Sequence, residues 1–384
     1  ITVVTTDALA VGARNRDGRA AAEVGAASVF ELDSVDLAEV VTAVRAVDPG
    51  GAHLTPVVAV TPSEAGRPTT LGVVPGEFRR IALWPGVDID ALPWDRLTAS
   101  PVPPLVVQGT AVSYHVQATG FRPVGSLRQA APTALAIGLR VVRGDGRVES
   151  MSLGLIPEGG VDADQTVPLD CADGCRIAGL GIIAPPSTAP VAGTLTLSKL
   201  AVGGAAVDLG GSGAWRDVST SDSAASAVFR GDGVTISYSN GPSSTIFVNH
   251  GSVPAVVPAL TTGAARPSAA GATFAGSFVD GSPLLMRSEG GVAFAPGGPT
   301  STALVHLDNL LAQGWTGRGS ASLTACLDSA DPATVARVQQ DLAAHGIAVL
   351  GVRHPEQLAQ TYARSAAAWS LQLALAVGVL SLLV

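Results

Sequence analysis

Charge is scarce in this chain: of its 384 residues, 14% are Asp, Glu, Lys or Arg, and the formal balance is -8 at pH 7. No basic stripe exists to follow a phosphate backbone, which excludes nucleic acid as a partner. Lysine is nearly missing, Lys199 being the one lysine among 23 basic residues. Aromatic residues make up 4% of the chain, too few for a carbohydrate surface built on rows of stacking rings. Several catalytic signatures are also missing. There is no His-Glu-x-x-His, no Gly-x-Ser-x-Gly elbow and no Gly-x-x-x-x-Gly-Lys-Ser/Thr loop to cradle nucleotide phosphates. The six histidines, His53, His115, His250, His306, His345 and His354, are scattered singly. His306 with Asp308 has the look of part of a triad, but no nucleophile completes it. The expectation is a protein without enzymatic activity, cofactor or resident metal. No period of solenoid type recurs.

Glycine and proline, by contrast, are abundant, at 45 and 26 residues. With so few charges to repel one another, they read as turns in a strand-rich folded chain rather than as disorder. Ile1 to Thr6 is apolar but short and lacks a basic start, so it reads as the tail of an upstream span rather than a signal peptide. The last twenty residues hold no charge. At about 1.5 Å per helical residue they reach roughly 30 Å, the hydrocarbon thickness of a bilayer. Ser365, Trp369 and Val384 mark this expected membrane span. A buried core helix is the competing reading, disfavoured because no polar stripe runs along the segment. Neither Gly nor Pro lies between Glu356 and Val377, so one continuous helix is expected to lead into it.

Between the two ends the periodicity changes twice. Ala8 to Val24 reads as a helix, Ala27 to Leu32 as a strand, Asp36 as the N-cap of a helix to Ala46, and Pro56 to Val60 as a second strand, together a βαβ-like unit. Strands are also expected at Thr70 to Val74 and Arg79 to Trp84. Pro101, Pro103 and Pro104 then form a stiff linker. Beyond it come β-rich runs at Leu105 to Thr119, Leu135 to Arg143, Arg147 to Ile156, Arg176 to Ile183, Gly193 to Leu200, Ala225 to Arg230, Val234 to Asn240 and Ser244 to Asn249. Gly144-Asp145-Gly146 and Gly231-Asp232-Gly233 supply tight turns between them. After Gly251 the mixed pattern returns, with apolar runs at Val253 to Leu260 and Ala303 to Leu307. A second βαβ-like unit follows: strand Ser322 to Leu327, a helix from Asp331-Pro332 to His345, and strand Ile347 to Val352.

The fold expected is α+β. A discontinuous mixed α/β domain, residues 1–98 and 251–354, holds an inserted antiparallel β-sandwich of jelly-roll type, residues 99–250, and residues 355–384 form a coupling helix and transmembrane span. Cys171 and Cys175 lie close enough for a disulfide, favoured over half of a zinc site or two free thiols because no second ligand pair is spaced to complete four ligands. Cys326 reads as a small buried hydrophobe. Asp162, Asp164, Asp170 and Asp173 form an acidic run able in composition to hold calcium, but without EF-hand spacing a solvated loop is the preferred reading. Asp88, Asp90 and Asp95 near Trp84 and Trp94 have the composition of a sugar site or of an ordinary connecting loop.

The order of elements resembles a known family, the extracytoplasmic region of FtsX-like, MacB-type ABC transporter permeases in their long actinobacterial form. Short runs carry the likeness along nearly the whole chain. They include Ala21-Ala22-Glu23-Val24-Gly25-Ala26, Val47-Asp48-Pro49-Gly50-Gly51, Gly174-Cys175-Arg176-Ile177-Ala178-Gly179-Leu180, Val253-Pro254-Ala255-Val256-Val257, Ala295-Pro296-Gly297-Gly298-Pro299 and Leu304-Val305-His306-Leu307-Asp308-Asn309-Leu310, and then the stretch from Asp331 to Val352 before the final apolar span. The resemblance implies a segment outside the cell membrane between two transmembrane helices. It implies a separate cytoplasmic ATP-binding-cassette ATPase as partner, contact with membrane lipid, a second permease copy, and a task of moving a hydrophobic or amphiphilic substrate or transmitting ATP-driven motion. The competing expectations are a membrane-anchored β-sandwich that binds glycan or cell-wall polymer, and a surface hydrolase with an unrecognised site.

Overall fold

The computed structural model describes residues 2–123, 135–144, 146–157, 159–184, 191–216, 218–219, 223–230, 233–240, 245–263, 271–279, 283–314 and 321–364. The expected span through Ser365, Trp369 and Val384 lies outside them, as does the expected turn at Gly231 and Asp232. Among the described residues no helix is long and apolar enough to cross a membrane. The chain is mixed α+β and divides into two compact units. One gathers the described residues within Ile1–Ala99, Val256–Leu310 and Gly317–Val384, the other those within Ser100–Ala255 and Leu311–Thr316.

The first unit opens with helix α1 (Thr2–Val24), strand β1 (Ser28–Asp33), helix α2 (Leu37–Val47), strands β2 (Leu54–Val60) and β3 (Thr69–Val73) and helix α3 (Pro75–Ile81). The second unit contains β4 (Leu105–Pro123), β5 (Leu135–Arg143), β6 (Val148–Ile156), β7 (Val161–Ile183), β8 (Val191–Val202), β9 (Ala205–Ala206), β10 (Trp215–Arg216), β11 (Val218–Ser219), β12 (Ser223–Arg230), β13 (Gly233–Asn240) and β14 (Ile246–His250). The chain then supplies β15 (Val257–Thr262), β16 (Thr273–Ser277), β17 (Pro283–Val292), β18 (Thr302–His306), α4 (Leu307–Gln313), β19 (Ala321–Leu327), α5 (Pro332–Ala344), β20 (Ala348–Arg353) and α6 (Pro355–Ala363). All of these belong to the first unit except the last turn of α4, from Leu311, which groups with the second.

Local chemistry fixes the helix ends. Asp36 accepts the Glu39 N–H at the start of α2, and Asp331 does the same for Thr334 at the start of α5, followed by Pro332 in the first turn. α1 stops at Gly25, whose φ of +97° is costly for any residue with a Cβ. A Cβ there would also meet the Gly297 nitrogen at 2.7 Å, so the turn is tight against another stretch of backbone.

Nine strands make the sheet of the first unit, in the order β16-β17-β15-β18-β3-β2-β19-β1-β20. Its last four strands interlock two βαβ units. β19 lies antiparallel between β2 and β1, and β1 lies antiparallel between β19 and β20. Each unit therefore reaches over one strand of the other, the split βαβ arrangement of ferredoxin-like sheets. β2 is buried along nearly its whole length, as a central strand covered on both faces must be. α2 buries Leu37, Val40, Ala43 and Val44, and α5 buries Val338 and Leu342.

In the second unit, β10-β14-β7-β4-β8-β13-β12-β11 run as one antiparallel hydrogen-bonded path, with β5 and β6 branching from β7 and β9 from β8. Alternate residues point inward to a single core that includes Ile137, Leu139, Leu180, Ile182, Leu195, Leu197, Val234 and Ile236.

Two expectations are corrected. Arg79 to Trp84 is not a strand, because Pro75 at the first helical position and Glu77 in the first turn start α3, which runs to Ile81. The acidic run is not a loop, because β7 extends from Val161 to Ile183 and pairs through most of that length with β4. The apolar run from Val253 becomes a strand only at Val257, and β16 and β17 were not anticipated.

Candidate functional site

Two places in the first unit bring together residues far apart in sequence. The first is the pairing of α1 with α6. His354, just before α6, hydrogen-bonds through Nδ1 with Ser28 Oγ at 3.1 Å, beyond the end of α1, whereas Tyr362 near the other end of α6 reaches back to Glu23. The two helices therefore lie side by side and run in opposite directions. Arg19 Nε donates to Glu23 Oε1 at 2.7 Å, Tyr362 donates its hydroxyl to Glu23 Oε2, and the Arg19 guanidinium sits 4.8 Å from the Tyr362 ring centroid. The Tyr362 hydrogen bond first and the Arg19 bond second hold the Glu23 carboxyl below its ordinary range, so it is ionised at neutral pH. Arg19 and Glu23 are legible from sequence as an i,i+4 pair. Nothing local to Tyr362 marks it as their partner.

The second place is a cleft of about 550 Å³ at the end of the interlocked strands. Because β2 and β19 are antiparallel, Leu54 at the start of one faces Leu327 at the end of the other, and the Asp328 N–H donates to the His53 carbonyl just beyond. His53 Nδ1 lies 2.8 Å from Asp328 Oδ2. Asp48, at the C-terminus of α2, accepts the N–H groups of His53 and Leu54 on Oδ2 at 2.7 and 2.9 Å. Burial alone would raise the Asp48 pKa, but those backbone donors outweigh it and hold the carboxyl low. The hydrogen bond and charge of Asp328 push the His53 imidazole above its ordinary value, helped by Asp48 and opposed by Arg80. Below the unfolded histidine value the contact stabilises the fold in full, and the contribution is lost as pH rises through the raised value. Arg337 and Asp341 on α5 complete the charged wall.

The residues singled out from sequence are dispersed. Asp162 and Asp164 face β4, where His115 Nδ1 lies 2.9 Å from Asp164 Oδ1 and Nε2 3.4 Å from Asp162 Oδ1. Asp170 pairs instead with Arg143 at 2.6 Å, and Asp173 stands exposed between the two cysteines. The four carboxylates do not converge, and among the described residues no group of three or more His, Cys, Asp or Glu side chains is placed to hold a metal ion. His306 Nδ1 accepts the Asp308 N–H at 3.1 Å and so starts α4. Burial lowers its pKa. This acceptor is occupied by backbone, and among the described residues no triad forms around it. Trp84 and Trp94 pack edge to face at 5.5 Å, with Trp94 Nε1 donating to the Ile89 carbonyl, so the rings face each other rather than a ligand. Asp90 pairs with Arg79, and Asp88 accepts the Asp90 N–H. Cys326 is buried, and burial pushes its thiol up to about 12.

Cys171 and Cys175 are joined, with Cα atoms 5.3 Å apart. Opposite them, Val107 pairs with Cys175 and Gly109 with Cys171, so a single residue of β4, Gln108, faces three of β7. Gln108 Nε2 donates to the Ala172 carbonyl at 2.8 Å and fills the gap in the ladder. The disulfide thus closes a β-bulge, and both of its cysteines sit in the core of the second unit. Closing so short a loop removes little chain entropy, and replacing both cysteines with Ala is expected to lower stability by about 2 kcal/mol. Urea unfolding followed by fluorescence measures it. A change below about 0.5 kcal/mol would show that the bulge holds itself without the bond.

No family model, no curated protein and no solved structure matches this chain.

Proposed function

We propose that the chain is the extracytoplasmic part of an ABC transporter permease similar to the FtsX-like, MacB-type family. On this reading Ser365 to Val384 is a membrane span, and a cytoplasmic ATP-binding-cassette ATPase drives the permease. The external domain passes on that motion or handles a hydrophobic or amphiphilic substrate. The second unit is a sandwich of jelly-roll type inserted in the sequence of the mixed domain. The observation that supports the reading best is the antiparallel pairing of α1 with α6. Two helices leaving one domain side by side, tied by Arg19, Glu23 and Tyr362, form a natural connection to two neighbouring spans.

The competing reading, a glycan-binding module, draws on the solvent-facing side of the second unit. There Asp162, Gln117, Thr196 and Thr235 stand in one row across four strands. Polar residues on an outer sheet face are the ordinary outcome of strand alternation, which is why this reading comes second.

Topology tests the proposal. With Cys326 replaced by Ser, single cysteines are placed at the exposed positions Gln340 and Gln360 of the full-length protein in its own cells. A membrane-impermeant maleimide is expected to label both in intact cells, and alkaline carbonate is expected to leave the protein in the membrane. Labelling only after lysis, or release by carbonate, overturns the reading.

A further inference from the structure

We propose that the His53 cleft binds an organic cation, a protonated alkylamine whose ammonium group meets Asp328 and Asp341 while its methylenes lie on Leu54, Leu327 and Val338. The inference goes beyond the transport reading and does not depend on it. A volume of about 550 Å³ suits a small organic molecule. The floor is apolar, formed by buried Leu54, Leu327 and Val338, so it has no hydrogen bonds to offer a fully polar ligand.

The wall decides the sign of charge. Asp48 is ionised, Asp328 shares one oxygen with His53, and among the described residues the Asp341 carboxylate has no partner. α2 also ends here, at Val47, with its negative end toward the cleft wall. Against these stand His53 and Arg337 within the lining, and Arg80 of α3, which acts on His53 from farther away. Three carboxylates therefore face one guanidinium when His53 is neutral, and still exceed the cations when it is protonated. The Asp328 hydrogen bond and charge, with a smaller contribution from Asp48, raise the His53 pKa against burial and Arg80.

Protonated His53 and a bound ammonium group compete for Asp328. By reciprocity each weakens the other, so a cation must lower the His53 pKa and bind more tightly as pH rises through it. An anion drawn to Arg337 and His53 would do the opposite.

The test uses the full chain in detergent micelles with ¹³C-labelled histidine, the His53 signal being assigned through His53→Gln. It is titrated with n-butylammonium chloride, and separately with sodium chloride at equal ionic strength. Expected are a saturable fall in the His53 pKa at millimolar butylammonium, an affinity at least about threefold higher at pH 8 than at pH 6, and a roughly fivefold loss in Asp341→Asn with the unfolding midpoint unchanged. A response identical to that of sodium, a rise in the His53 pKa, or unaltered affinity in Asp341→Asn overturns the site. None of these readouts involves membrane topology, so they fail or succeed apart from the transport reading.

Discussion

Replacing Gln360 by Pro is expected to free the end of α6 from α1 while both sheets stay folded. Gln360 is exposed near the middle of α6, so the substitution removes no packed side chain. It deletes one helical N–H donor and drives the proline ring against the preceding turn, at a local cost of about 3 kcal/mol. Against that cost α6 has little to offer, because it buries no residue fully: half-buried Leu358 packs against the core of the first unit, and Tyr362, Glu23 and Arg19 meet at the surface. The opening free energy of the segment therefore collapses. Amide exchange in residues 356–363 should accelerate by roughly 100-fold, while amides of β1 and β19 keep their protection. Gln360→Ala is the control, since it keeps the helix and should leave exchange within about threefold of the parent. In the transport reading the same variant should insert normally and lose coupling between ATP hydrolysis and movement of the external domain. Unchanged exchange in Gln360→Pro would mean that α6 is held by contacts beyond the Tyr362 group, and a rigid connection through that group would be wrong.

What the sequence revealed follows from how local its signals are. Asp36, and Asp331 with Pro332, announce their helices because an N-cap acts within three residues. Leu135 to Arg143 matches the bounds of β5, because apolar residues fill most of the run up to the turn signal at Gly144. Pro75 and Glu77 carry the start signal of α3, but Ile81 and Leu83 beyond it alternate as a strand would, and that pattern points to the wrong element. The first half of β7 was hidden for a physical reason. Its Asp residues and Pro168 disfavour strand locally, and only pairing with β4 across His115 and Gln117 makes it one. The cleft was out of reach altogether. His53 and Asp328 are 275 residues apart, and Glu23 and Tyr362 are 339 apart, so no window of sequence contains either pair. Both meet because the two βαβ units interlock, a property of the whole sheet rather than of any segment.

Gly181→Ala is expected to destabilise the second unit by about 3 kcal/mol, near the upper end for overpacking, because the added methyl meets backbone rather than a side chain that can turn away. A Cβ at Gly181 would lie 2.1 Å from the Ile246 carbonyl oxygen and 2.7 Å from the Phe247 Cα, on the neighbouring strand β14. Gly138 faces Gly181 from the other side, on β5, and a Cβ there would meet the Phe247 ring at 2.8 Å. The ring thus reaches the Gly138 position, and with the Arg140 guanidinium 4.4 Å from its centroid it stays only 3% exposed. The two glycines therefore answer differently to the same second change. Trimming Phe247 to Ala, itself worth about 3 to 5 kcal/mol, removes the closest obstacle to Gly138→Ala, leaving Ile183 Cγ1 at 3.0 Å, and should make that pair less destabilising than the sum of its parts. It leaves the Ile246 carbonyl in place, so Gly181→Ala with Phe247→Ala should be additive within about 0.5 kcal/mol. Urea unfolding of the five variants, three single and two double, and of the parent gives both coupling energies. Equal coupling at the two glycines would mean that β14 shifts as a whole to admit either methyl, and that the Gly138, Gly181 and Phe247 row does not fix the register of β14 on β7.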